Sequence, residues 1–328
     1  MKHNEEHPLI SVALMTYNQE RYVKEALQSI LNQTYDNIEI IVSDDCSHDG
    51  TWDVVQQEVD VYRANGGVHD IIVLNRNASN MGVARHFELI LSKCHGEFVV
   101  CQAGDDASFP ERVELIVEAI KSKPGVTIVY HEGVCIDGDG NVVGANTMRT
   151  SVLMPLGAMM AYSRRVYEEF EPISERGAWE DDVYARRAQM LGSEIQIKKA
   201  LLKYRVGCGG ISSNRDDVAV RRSRVASGCV ASARQSRQDL EYCKSKLTPE
   251  KYSEVLRDIN WYEERYSAEY EMYNGSSWAV RFKAFSTLYR NSSLLGRAKG
   301  FVENMLPSWM SKGLSPFVWG AKKVLRHS

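Results

Sequence analysis

The sequence predicts an α/β fold with a mostly parallel central sheet, followed by an α-helical C-terminal extension. Three features predict it. Strand and helix patterns alternate from residue 9 to about 137, polar residues gather where the strands end, and from about residue 214 the pattern becomes polar and helical.

The elements follow in order. "LISVALM" (9–15) is a nearly continuous apolar run, as in a strand covered on both faces. Apolar residues at Tyr22, Val23, Ala26, Leu27, Ile30 and Leu31 have helical spacing. "IEIIV" (38–42) is a second strand and 51–64 a second helix; "DIIVLN" (70–75) and 83–94 repeat the pair. "EFVVCQ" (97–102) precedes a helix over 110–122 opened by Pro110, whose missing N–H suits a first turn. "VTIVYHEGVCID" (126–137) is read as strands closed by the turn "DGDGN". Beyond it come a small-residue loop, a strand and a helix within 153–170, a helix over 179–192, and short strands over 194–207.

Composition excludes some functions. A formal net charge of −3 gives no reason to expect nucleic acid as a partner. The opening "MKHNEEHPLISV" lacks the apolar stretch of a signal peptide, and no run approaches the ~18 apolar residues of a membrane span. The seven cysteines are odd in number and scattered, so reduced thiols in a cytoplasmic protein are expected, not a disulfide framework or zinc site. Residues 278–328 carry nine basic residues and one acid, interleaved with aromatics such as Trp278, Phe282, Trp309 and Trp319. That make-up suits an anionic membrane surface on the inner face, or equally a helix packing its aromatics on the main domain.

In an open parallel sheet, ligands bind beyond the carboxyl ends of the strands. Those ends are Thr16-Tyr17-Asn18, Asp44-Asp45, "NRNASNMG" and Gly104-Asp105-Asp106. The stretch "SDDCSHDGT" (43–51) carries more acids and hydroxyls than one helix cap needs. The surplus suggests part of a site. A cap and turn at 44–45, and a polar turn at 105–106, are the structural alternatives. "WEDDV" likewise suits a helix start, where acids are favoured in any case.

"PLISVALMTYNQERYVKEALQSILNQTYDNIEIIVSDDCSHDGT", "NASNMGVARHFELILSKCHGEFVVCQAGDDASFPERVE" and "WEDDVYARRAQMLG" together resemble the family-2 glycosyltransferases of the GT-A fold, over residues about 8–213. The resemblance implies transfer of a sugar from a nucleotide-diphosphate donor (UDP, dTDP or GDP sugar) to a hydroxyl of a glycan or lipid-linked glycan, with inversion. Bacterial O-antigen or capsule synthesis is the expected setting. It implies that Thr16, Tyr17, Asn18, Asp44, Asp45 and Asp105 hold the nucleotide, that Asp106 binds Mg2+ or Mn2+, and that Asp181 is the catalytic base. Ala103 stands where the family's metal motif usually has its first aspartate, which leaves more of the metal binding to Asp106. Residues 1–213 would then form the transferase domain and 214–328 a helical extension with the basic aromatic tail. A sugar-nucleotide-forming nucleotidyltransferase is disfavoured, because "ALMTYNQE" has no glycine for a phosphate loop. An inactive binding or scaffold protein on the same fold is the other alternative.

Overall fold

The computed structural model describes residues 7–143, 156–207 and 218–290. Its elements run β1 (Ile10–Thr16), α1 (Val23–Leu31), β2 (Ile38–Asp44), α2 (Thr51–Ala64), β3 (Ile71–Arg76), α3 (Val83–Leu91), β4 (Phe98–Ala103), β5 (Ala107–Ser108), α4 (Arg112–Ser122) and β6 (Val126–Ile136). There follow β7 (Met160–Ser163), α5 (Arg165–Glu168), α6 (Glu180–Leu191), β8 (Ser193–Arg205), α7 (Val218–Cys243), α8 (Pro249–Asn274) and α9 (Trp278–Tyr289). The expected domain boundary at 213/214 and most of the basic tail, from 291 on, lie outside the described residues.

One sheet has the order β3-β2-β1-β4-β7-β6-β8-β5. β3, β2, β1 and β4 are parallel, as are β6 and β8; β7 runs antiparallel to β4 and β6, and β5 antiparallel to β8. Both faces are covered, which explains the unbroken apolar runs. Ile10, Val12 and Leu14 of β1 pack with α1, α2 and α4 through Leu27, Ile30, Val55 and Ile116. Ala13 and Ile41 point the other way, to Phe87 and Ile90 of α3 and Ala185 and Ala188 of α6.

The segment 194–207 is one thirteen-residue strand and not several short ones. It pairs along β6 by way of register shifts near Glu132, which bend the ribbon without breaking it. Of the cysteines, Cys46, Cys94, Cys101, Cys135, Cys229 and Cys243 are free thiols. Among the described residues no helix is long and apolar enough to cross a membrane.

The helical extension is fastened to α6. α7 and α8 share a core of Cys229, Leu240, Val255 and Ile259 with Phe170 and Met190 of the sheet region. Arg187, fully buried on α6, makes a two-pronged pair with Asp239 of α7 at 2.7 and 3.2 Å, its guanidinium over the Phe170 and Tyr184 rings. Arg187→Ala strands the Asp239 charge and should cost about 3–5 kcal/mol. Arg187→Leu combined with Asp239→Leu should cost much less, because no charge is left unpaired. Urea unfolding of the two variants measures both; a double variant as unstable as the single would contradict this account of the joint.

Candidate active site

The surplus of polar residues at 43–51 is largely a staple between two loops. Ser47 Oγ accepts from Asn18 N at 2.9 Å, Thr51 Oγ1 from Gln19 N at 2.7 Å, and Asp49 from Glu20 N at 3.1 Å. In return Glu20 accepts from Gly50 N and Asn18 Oδ1 from His48 N. The β1–α1 turn, with Asn18 in left-handed backbone at φ 52°, is thereby pinned to the start of α2. Tyr17 at its tip is left 41% exposed.

Asp44 and Thr16 lie beneath this surface. Asp44 is fully buried, and its Oδ1 accepts the hydroxyls of Thr16, at 3.1 Å, and Ser47, while Oδ2 accepts Ser47 N at 2.9 Å. The resemblance implies that Asp44 and Thr16 hold the nucleotide. Their polar atoms make these internal bonds, which lie under the turn that carries Tyr17 and Asn18. Asp45 is also buried and takes three donors, Asn77 Nδ2 at 2.8 Å, Met81 N at 2.9 Å and Gly82 N at 3.0 Å. It thus holds the loop that opens α3. Gly82, at φ 79°, uses a conformation open chiefly to glycine.

Asp105 and Asp106 lie in the turn between β4 and β5, and they differ. Asp105 is half-buried. Asp106 is 1% exposed: Oδ1 accepts Arg205 N of β8 at 2.8 Å, and Oδ2 is buried with no hydrogen-bond partner. Burial, then the Asp105 charge, holds Asp106 well above the usual aspartate range. An orphaned carboxylate oxygen beside a second acid is what a divalent cation relieves. Mg2+ needs only one or two protein carboxylates, since water and phosphate oxygens complete its shell, so these residues fit such an ion. Asp106 is also a strut of the fold, since its Oδ1 holds the backbone of β8.

Two arginines that the sequence reading missed support this corner. Arg205 donates to Asp105 O, Asp137 O and Glu25. Arg112, wholly buried, donates to Cys101 O, Ala158 O, Ser108 Oγ and His131 Nε2. Burial and Arg112 push His131 well below the usual histidine range, so it stays a neutral acceptor. His86 is likewise structural, bonded to Ser43 Oγ at 2.7 Å.

The Ala158 end of this network abuts the third acid cluster. Glu180, Asp181 and Asp182 form the first turn of α6. Asp181 is turned to the sheet side, where Oδ2 accepts Gly157 N at 3.3 Å. Asp182, about 100° round the helix, faces Ser232, Cys229 and Tyr262 of the helical extension. Burial is the first cause, and neighbouring acids the next, of an Asp181 pKa well above its ordinary value. Among the described residues no group of three or more His, Cys, Asp and Glu side chains forms a ready metal cluster.

An α/β sheet with this order and these strand-end acids is the GT-A architecture. A Pyrobaculum calidifontis mannosyltransferase, solved with GDP-Man and Mn2+, superposes with a TM-score of 0.60 at 16% identity, covering 98% of this chain and 88% of that one. Residues 11–171 match the family described as Glycosyl transferase family 2, and this part of the chain belongs to that family. It is 33% identical over 120 residues to abequosyltransferase RfbV of Salmonella typhimurium, 36% of this chain and 34% of that protein. To chondroitin synthase of Escherichia coli it is 27% identical over 136 residues, 42% of this chain and 19% of that protein. The chain spans between 36% and 66% of the lengths of four further bacterial relatives.

The acids at the start of α6 also predict a pH dependence. Burial pushes Glu180 up from 4.5 to about 7. The folded state then keeps a proton that the unfolded chain has lost, so stability falls as pH rises from about 4.5 to about 7 and is level above. Glu180→Gln removes this dependence. At pH ~8 the variant should be the more stable, by at most about 3 kcal/mol, and the two proteins should converge in acid. Asp181 and Asp182 are present in both, so the difference in Tm across pH isolates Glu180. A wild type that gains stability relative to the variant as pH rises would contradict the assignment.

Proposed function

We propose that this chain is an inverting glycosyltransferase that moves a sugar from a nucleotide-diphosphate donor to a hydroxyl of a glycan or lipid-linked glycan, in bacterial surface polysaccharide synthesis such as O-antigen or capsule. The observation that carries the reading is the partnerless Oδ2 of Asp106, beside Asp105, on the sheet whose β4 also adjoins the loop that Asp181 holds. In this reading Tyr17, Asn18 and Asp45 line the nucleoside side, and Asp105 lies between nucleoside and diphosphate. Asp105 and Asp106 would hold Mg2+ or Mn2+, which when bound offsets the charge growing on the leaving diphosphate. The donor nucleotide is UDP, dTDP or GDP.

Asp181 supplies the base. The acceptor oxygen attacks the anomeric carbon, the bond from that carbon to the diphosphate oxygen breaks, and the acceptor proton passes to the Asp181 carboxylate. A single displacement inverts the anomeric centre. A raised pKa brings this base nearer the working pH, where proton transfer is most effective.

The described part of the basic tail supports a second surface. On α9, Ala284 and Phe285 pack on Ala268 and Met272 of α8, while Trp278 and Phe282 remain more than half exposed beside Lys283. We read this face, with the basic residues that follow it, as resting on an anionic bilayer.

Two measurements test these readings. Asp181→Asn should cut turnover by about 10²–10⁴-fold while donor binding survives, and Asp182→Asn should do much less. The reverse ranking would move the base by one residue. The full chain should float with anionic liposomes in low salt and lose this on truncation near 275; equal flotation of both forms would remove the membrane from the account.

A further inference from the structure

A cleft of about 870 Å3 lies between the start of α3, the 173–179 loop and helices α7 and α8, a size within the usual range of ligand sites. None of the residues so far assigned to donor or metal lines it. Its lining nevertheless includes neighbours of both halves of the proposed machinery: Met81 and Gly82, whose N–H groups are held by Asp45, and Trp179, two residues before Asp181.

The charges of the lining are unevenly committed. Glu88 accepts Ile173 N at 2.6 Å and Glu175 accepts Gln238 Nε2 at 2.8 Å, so both acids serve to hold the 173–179 loop. Arg85 and Arg176 are exposed in the cleft and make no hydrogen bond or ion pair within the described structure, and Arg224 of α7 adds a third guanidinium. Trp179, Tyr270 and Tyr273 contribute aromatic surface to the same lining. Guanidinium groups bind carboxylate and phosphate in two-pronged fashion, and aromatic rings offer flat apolar area to the C–H faces of a sugar.

We propose that this cleft is the acceptor site and that it takes an anionic saccharide, a sugar chain bearing carboxylate or phosphate groups. The inference rests on the transferase reading and adds the chemical class of its acceptor. The 173–179 loop is the element that joins the two, since it lines the cleft and leads directly into the turn that carries Asp181.

The test is binding, read by calorimetry on the full chain carrying Asp181→Asn, so that no turnover is needed. Three probes are titrated: an oligogalacturonate, a polyol-phosphate oligomer and a neutral malto-oligosaccharide. At least one anionic probe should bind, more tightly than the neutral one and more weakly as salt rises. Whether carboxylate or phosphate prevails identifies the source of the charge. Arg85→Ala with Arg176→Ala should weaken that binding about tenfold or more while leaving Tm unchanged, because neither side chain has a partner among the described residues. The proposal is overturned if neither anionic probe binds, if the neutral probe binds as well, or if the double variant binds with unchanged affinity. The base reading stands or falls separately, on the turnover of Asp181→Asn.

Discussion

A carboxylate that accepts the backbone N–H of a loop distant in sequence is the interaction on which this molecule's working edge depends. Asp45 holds Met81 and Gly82, Asp106 holds Arg205, and Asp181 holds Gly157. Each such bond puts a charge out of water, which is tolerable only because the donors are fixed. The same device occurs at the opposite edge of the sheet, where buried Glu39 accepts Gly96 N and the Ser11 hydroxyl with no ligand in prospect. A buried acid is therefore not by itself a site. Asp106 has an oxygen left over, as do Glu180 and Asp182 at the start of α6, and of these three it is the one beyond the carboxyl ends of the parallel strands.

The helical extension shares in this construction. Trp179 packs so closely on α7 that a side chain at Gly228 would lie 2.2 Å from its indole nitrogen, and its backbone N–H is held by Ser232 Oγ at 2.8 Å. Gln189 donates to Asp258 of α8, and Arg187 pairs with Asp239. Three turns of α6 are thus fixed from the outside, and with them the direction in which Asp181 points. In physical terms α7 and α8 are the back wall of the proposed base. A change in their packing would be felt as a change in the approach of the acceptor.

Much of the fold was legible because strands covered on both faces are uniformly apolar and the helices between them keep a clean period. The sheet order and the single long β8 were less so, since nothing in "EIQIKKALLKYRVG" says that it lies along β6 with shifts of register. The acids were visible as clusters, but their division of labour was not. Sequence cannot tell Asp44, whose oxygens are spent on Thr16, Ser47 and Arg76, from Asp45 next to it, which holds the loop that opens α3. Arg112 and Arg205 gave no signal at all, being ordinary arginines in a helix and a strand until the fold buries them. Their charge matters through what surrounds it.

The central claim is that Asp106 Oδ2 is left open for a cation shared with a donor diphosphate. Anomalous diffraction from crystals grown with Mn2+ and a nucleoside diphosphate tests this most directly. The account predicts a manganese peak in direct contact with the Asp106 carboxylate, bridging to the diphosphate, with the nucleoside beside Tyr17. A diphosphate bound at that edge with no peak at Asp106, or a manganese ion held elsewhere on the chain, would contradict it.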